Sequence, residues 1–185
     1  MYTIRRLTAE ELSGAADALG ALLVDTVDGG NSLGFLAPLG LPAATAWWRS
    51  LAPDLAAGRL LLWVALARDG RVAGTVQLRP ATPANGRHRA EIAKLMVHRA
   101  DRGRRLATYL LAAVEMHAPH VGVSLLVLDT ETGSPAERLY ESAGWSRAGS
   151  IPDFAANPAG VLHPTTLFYK RVEPRPATEE PLSLG

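Results

Sequence analysis

The chain has 185 residues, 48% of them hydrophobic, with 19 Lys and Arg against 18 Asp and Glu. That size and content suit one domain around one core, and the near-balanced charge argues against a broad nucleic-acid or anionic-membrane surface. With no cysteine, disulfides, thiolate metal sites and cysteine nucleophiles are excluded.

In chain order, residues 2–7 predict a first strand. Thr8, followed by Glu11, is a capping box in which hydroxyl and carboxylate satisfy backbone N–H groups. Leu12, Ala15, Ala16, Leu19, Leu22 and Leu23 then recur at helical spacing until Gly29-Gly30. Residues 31–41 predict a loop with exposed apolar character, a candidate lid. Residues 42–57 predict a second helix carrying Trp47 and Trp48, closed by Gly58.

Residues 60–67 predict a buried strand, Asp69-Gly70 a hairpin turn, and residues 72–78 the returning strand. A polar loop at 80–89 leads to a strand at 90–97. A helix is expected over 104–118, with Leu106, Leu110 and Val114 on one face. The apolar run Leu125-Leu126-Val127-Leu128 reads as a strand covered on both sides. Ser134-Pro135-Ala136-Glu137 is a second capping box, and Gly144 suits a left-handed helix end. Residues 145–148 and 165–172 predict a last strand pair around a long loop. The domain is expected to span 1–172, with residues 173–185 a loose tail holding three prolines. The 60–67 run is far short of the roughly 18 apolar residues that cross a bilayer, and no signal-peptide core follows Met1. A soluble, cytoplasmic protein with no membrane or nucleic-acid partner is the expectation.

Chemistry concentrates between Glu91 and Tyr140. A strand ends in Leu95-Met96-Val97, and a basic turn, Arg102-Gly103-Arg104-Arg105, opens a helix at Leu106-Ala107-Thr108. A helix start offers unpaired backbone N–H groups and the positive end of its dipole, which suit a pyrophosphate. Gly103 permits a conformation that other residues resist, and small Ala107 allows close approach. The plain alternative is a solvated helix start. It is weakened by the acidic residue on the preceding strand and the apolar strand that follows.

The segment resembles the coenzyme A signature of the GNAT acetyltransferases: Arg or Gln, two residues, Gly, one residue, then Gly or Ala. Arg102 and Ala107 match its ends, and Arg105 stands where the family usually has Gly. A right-handed helix-start conformation is expected for Arg105, which would keep its N–H available. Further motifs resemble the tabtoxin-resistance branch: Thr26-Val27-Asp28-Gly29-Gly30, Gly34-Phe35, residues 129–137 with Tyr140, Gly144-Trp145, Ile151-Pro152 and Leu162-His163-Pro164-Thr165. The resemblance implies an α/β (α+β) fold. Its centre is a mixed, twisted, mostly antiparallel sheet with splayed central strands, flanked by helices and holding acetyl-CoA in the V-shaped opening. It also implies that backbone groups of Leu95, Met96 and Val97 pair with the pantetheine arm and the acetyl oxygen.

Acetyl transfer needs a base for a protonated amine, a donor for the oxyanion and an acid near the leaving thiolate. Glu91 is the first candidate base, with a solvent-facing carboxylate paired to Arg89 as its plain alternative. Asp129 is the alternative or cooperating base, or else a turn cap near Thr132. Tyr140 is the candidate acid, on the family's habit of placing a tyrosine hydroxyl near the CoA sulfur; without that resemblance it reads as a core aromatic. Ser134 is a helix cap whose hydroxyl can also touch the cofactor. Trp47, Trp48 and Phe35 are candidate walls of the acceptor site, although helix packing is the commoner use of Trp. His163 either lines that site or orients its loop. The five histidines lack metal-ligand spacing, so no metal is expected.

The expected activity is acetyl transfer from acetyl-CoA to a primary amine of a small amino-acid-like toxin, antibiotic or metabolite, by direct attack in a ternary complex. The acting species would be a monomer or homodimer. The competing readings are a non-catalytic acyl-CoA sensor and a protein N-terminal or lysine acetyltransferase.

Overall fold

A computed structural model describes residues 2–173. Seven strands form one sheet: β1 (Tyr2–Leu7), β2 (Leu61–Ala67), β3 (Val72–Pro80), β4 (Arg89–Val97), β5 (Leu125–Glu131), β6 (Ser146–Ala156) and β7 (Leu162–Arg171), in spatial order β1-β2-β3-β4-β5-β7-β6. All neighbours are antiparallel except β4 and β5. Five helices flank the sheet: α1 (Ala9–Asp28), α2 (Leu41–Ser50), α3 (Ala52–Ala56), α4 (Leu106–His117) and α5 (Pro135–Ser142). The expected mixed, mostly antiparallel α/β architecture is observed. From residue 174 onward, the expected tail lies outside the described residues.

Two apolar layers cover the two faces. On one, α4 inserts Leu106, Leu110, Leu111 and Val114 against Val76, Leu78, Ile92, Leu126 and Leu128. On the other, α1 and α2 place Leu12, Leu19, Leu23, Ala44 and Trp48 against Leu60, Leu62, Val64 and Met96. At Gly74 there is no room for a side chain: an added Cβ would lie 2.8 Å from the Met96 carbonyl oxygen and 3.0 Å from Leu110 Cδ1 of α4.

Local signals account for most boundaries. The Thr8 capping box forms as expected, with Thr8 N–H donating to Glu11 at 2.8 Å and Glu11 N–H donating to Thr8 Oγ1 at 3.3 Å. Tyr140, Gly144 and Trp145 close α5 as a left-handed cap: Gly144 has φ 78° and the Trp145 N–H donates to the Tyr140 carbonyl at 3.0 Å.

Several boundaries differ from expectation. The helix expected over 42–57 is two helices, because Pro53 has no N–H and its ring obstructs the preceding turn. The last strand pair is longer than expected, and β6 runs through Pro152. Proline is tolerated there because β6 lies at the sheet edge and its ladder shifts register between Ile151 and Ala155, where Asp153 has φ 50°. β5 is not covered equally on both sides. Leu126 and Leu128 are buried, whereas Leu125 and Val127 are half-buried and face a cleft.

Candidate active site

The cleft arises where β4 and β5 part. They pair in parallel only at Arg89↔Leu125, Ala90↔Leu126 and Glu91↔Val127. Beyond Glu91, the β5-facing edge of β4 has no ladder partner from β5. A bulge in β4 adds to the divergence: Thr75 pairs with Met96 and Gln77 with Ala93, so β4 spends an extra residue between these points. Lys94 within it has φ 52°. The bulge inverts the side-chain phase, so Ile92 packs in the α4 layer and Met96 in the α1 layer.

Register fixes which residues share the cleft face. Arg79 is the partner of Glu91, Glu91 of Val127, and Val127 of Tyr169. Partners across a ladder point the same way, so these four and Asp129, two residues beyond Val127, line one face. Glu91 and Asp129 are therefore brought to one side of the splay. Glu91 is exposed and forms no ion pair with Arg89 among the described residues. Asp129 is exposed and accepts from Thr165 Oγ1 at 3.2 Å.

Tyr140 enters from the opposite face, out of α5. Its ring is 6% exposed and packs on Trp145 and Phe168 at centroid distances of 5.9 and 6.0 Å. Burial, with the Asp129 carboxylate adding to it, pushes its phenol well above the ordinary tyrosine range. Ser134 caps α5, accepting from Glu137 N–H at 3.2 Å, with its hydroxyl 3.4 Å from Thr130 Oγ1. The second capping box differs from expectation. Glu137 reaches past the cap to the Gly133 N–H and also accepts from Thr166 Oγ1 at 2.8 Å, tying α5 to β7.

The basic turn lies at the other end of β4. A 3-10 turn over Arg99–Asp101 precedes Gly103, which has φ 75°. Arg105 departs from expectation: it is left-handed, at φ 59° and ψ 18°, and α4 starts only at Leu106. A left-handed torsion suits glycine, the residue usual at this position in the signature that the turn resembles. The chain turns here in a region that disfavours a Cβ. Among the described residues, no N–H from Gly103 through Thr108 donates to a backbone carbonyl. These donors stand at the positive end of a 12-residue helix and suit an anion.

The arginines of the turn are not equivalent. Arg99 bridges to Asp25 at 2.8 Å and docks α1. Arg102 Nε donates to the Val97 carbonyl at 3.3 Å. Arg104 donates to the Tyr2 hydroxyl at 2.6 Å, and that hydroxyl donates to Asp101 at 2.8 Å. Asp101, 3% exposed, also accepts from Arg71 at 2.7 Å. The Arg71 and Tyr2 hydrogen bonds hold its carboxyl below the usual carboxylate range against the opposing effect of burial. Arg105 lies over the Tyr109 ring at 6.0 Å.

On the acceptor side, Trp48 does not wall the cleft: its indole is fully buried in the α1 layer. Its neighbour Trp47 does, with the Lys94 ammonium 5.6 Å from its ring centroid and Phe35 edge-on at 5.1 Å. The Ala37 N–H donates to the Pro158 carbonyl at 2.9 Å and joins the loop after α1 to the β6–β7 turn. His163 sits in that hairpin, 3.1 Å from Asn157 and 3.5 Å from Glu131. Sequence reading assigned no role to Lys94, Arg79, Tyr2, Arg71 or Asp101. For Lys94 a signal existed: a lysine at the apolar phase of Ile92 and Met96 marks a strand whose alternation breaks. No helix among the described residues is long and apolar enough to cross a membrane.

A sequence profile of the acetyltransferase (GNAT) family matches residues 35–145. Solved structures share the fold at low identity. An N-acetyltransferase from Staphylococcus aureus Mu50 superposes with a TM-score of 0.75 at 17% identity, covering 94% of this chain and 99% of its own. The protein yncA from Salmonella typhimurium, solved with its cofactor acetyl-CoA, gives 0.74 at 19%, covering 95% and 96%. A ribosomal-protein-alanine N-acetyltransferase from Brucella melitensis gives 0.74 at 23%, covering 91% and 99%.

Proposed function

The chain belongs to the GNAT family of acetyltransferases, and on that premise we propose that it moves an acetyl group from acetyl-CoA to the primary amine of a small amino-acid-like toxin, antibiotic or metabolite. The observation that carries this reading is the meeting of Glu91 and Asp129 on one face of the β4–β5 splay, with Tyr140 entering from the other.

Acetyl-CoA supplies the activated thioester. The N–H groups from Gly103 through Thr108, with the side chains of Arg102 and Arg105, would hold its pyrophosphate. Arg104 would act chiefly by bracing the turn through Tyr2. The unpaired edge of Leu95, Met96 and Val97 is available to an amide-bearing arm in the manner of an added strand, and its N–H groups are donors for the developing oxyanion. Glu91, or Asp129 held by Thr165, takes the proton of the acceptor ammonium directly or through water. The free amine then attacks the carbonyl carbon in a ternary complex. As the tetrahedral adduct collapses, the C–S bond breaks, the nitrogen gives its second proton to solvent, and the tyrosine that protonates the sulfur regains its own proton from solvent. Tyr140 protonates the departing thiolate, a role its neutral phenol keeps to high pH.

The resemblance to the tabtoxin-resistance branch supports a small acceptor. So does the Ala37–Pro158 bridge, which joins two loops beside the acceptor face where a protein substrate would need a free approach. The test is thiol release from acetyl-CoA across a panel of small amines and N-terminal peptides. Turnover of small amines over peptides is expected. Tight acetyl-CoA binding with no turnover across the panel would replace the enzyme with a binding module.

A further inference from the structure

Lys94 is a cation with no counter-ion bonded to it. It lies in the β4 bulge at φ 52°, a conformation that costs a non-glycine residue about 1–2 kcal/mol. Its ammonium faces Trp47 and forms no ion pair within 4 Å among the described residues. Arg79, on the neighbouring strand, adds a second positive charge. Its Nε donates to Gln77 Oε1 at 3.1 Å, and its guanidinium also lacks an ion pair among the described residues. Behind them, Gln77 is fully buried and its amide nitrogen has no hydrogen-bond partner. Burial and Arg79 both disfavour the charged form of Lys94, and Glu91 and Asp129 only partly offset them. A fold does not keep two like charges and an orphaned amide together on a half-buried wall for stability.

The cleft thus has a cationic wall, Lys94 and Arg79, beside an anionic one, Glu91 and Asp129. A zwitterion matches that division. Resting on the acetyl-transfer reading above, we propose that Lys94 and Arg79 are specificity-determining residues that take a carboxylate on the acceptor. The acceptor is then an amine bearing a carboxylate a few bonds away, oriented with its amine toward Glu91 and Asp129. Recognition of this kind rejects an analogue lacking the anion, because the site's cations would be left desolvated and unpaired.

The test compares L-amino acids with their carboxamides as acceptors, by thiol release from acetyl-CoA, in wild type, Lys94→Gln, Lys94→Arg and Arg79→Gln. The readout is the acid-to-amide ratio of kcat/KM, divided between wild type and variant so that the amines' own basicities cancel. Lys94→Gln and Arg79→Gln are each expected to lower this ratio by about tenfold or more, with amide turnover changed by less than about threefold and Lys94→Arg restoring most of the preference. An unchanged ratio overturns the inference and leaves acetyl transfer standing. Equal loss for acids and amides, with acetyl-CoA still bound, also overturns it, because Lys94 then serves the chemistry and not recognition. If Lys94→Gln does not fold, Arg79→Gln carries the comparison. No turnover of any amine by wild type removes the acetyl-transfer reading and this inference with it.

Discussion

Glu91 and Val127 are the last residues at which β4 and β5 pair. The site is built around that point. Three residue pairs hold the strands together up to this point, and the next residues along each strand face an opening. The last pair also sets Glu91 on the same face as Asp129, since Val127 and Asp129 are two residues apart on β5.

Glu91→Gln is expected to lower kcat by about 100-fold, the usual scale for removing a general base, with acetyl-CoA affinity unchanged. Asp129→Asn made in parallel ranks the two carboxylates, and the larger loss identifies the working base. Calorimetric titration with acetyl-CoA alongside steady-state kinetics checks both. Unaltered kcat at every pH in both variants would remove the base role from this pair.

Tyr140 makes a prediction with a sign. Burial and the nearby Asp129 raise its pKa, so the neutral phenol persists above the ordinary tyrosine range. The kcat profile should therefore show no alkaline fall from Tyr140 up to about pH 10, where an unperturbed tyrosine would ionise. Tyr140→Phe should lower kcat by about 10–100-fold at neutral pH. An alkaline limb near pH 10 that disappears in Tyr140→Phe would contradict the burial argument.

Arg105 holds a left-handed conformation that glycine adopts freely. Arg105→Gly should relieve that strain and, after the extra entropy of the unfolded glycine, stabilise by about 0.5–1 kcal/mol. The same change removes a cation from the turn, so acetyl-CoA affinity should fall, more at low salt than at high. Thermal melts and salt-dependent titration separate the two effects. Reversing charge at Arg102 and Arg104 together should weaken CoA binding in the same salt-dependent way, and should also loosen the Tyr2–Asp101 network that Arg104 joins.

Asp101 predicts a pH dependence of stability. Its folded pKa is depressed by the Arg71 and Tyr2 hydrogen bonds. Its stabilisation is therefore complete above the unfolded value of about 3.9 and is lost as pH falls through the lower folded value. Asp101→Asn should cost about 1–2 kcal/mol at pH 7 and flatten the loss of stability below pH 4. Denaturant titrations at pH 7 and pH 3 check it: equal destabilisation at both would mean that the carboxylate's charge contributes nothing.

The sequence by itself determined the helices and strands whose signals lie within a few residues. The Thr8 and Ser134 caps, the Asp69-Gly70 turn, the left-handed Gly144 and the basic turn before α4 were all legible there. Each depends on local hydrogen bonding or on torsions open to glycine. Only the tertiary structure decided what faces the cleft. Strand alternation puts Lys94 in phase with buried Ile92 and Met96, yet the bulge against β3 sends those two to opposite layers and turns Lys94 toward Trp47. Adjacent Trp47 and Trp48 look alike in sequence, and α1 packing buries the second while leaving the first to the cleft. An ideal helix start predicts a right-handed Arg105, but the chain enters α4 through a left-handed residue there. A side chain's facing depends on register with strands and helices distant in the chain. One inserted residue reverses it, and no local pattern records which partner strand absorbs the insertion.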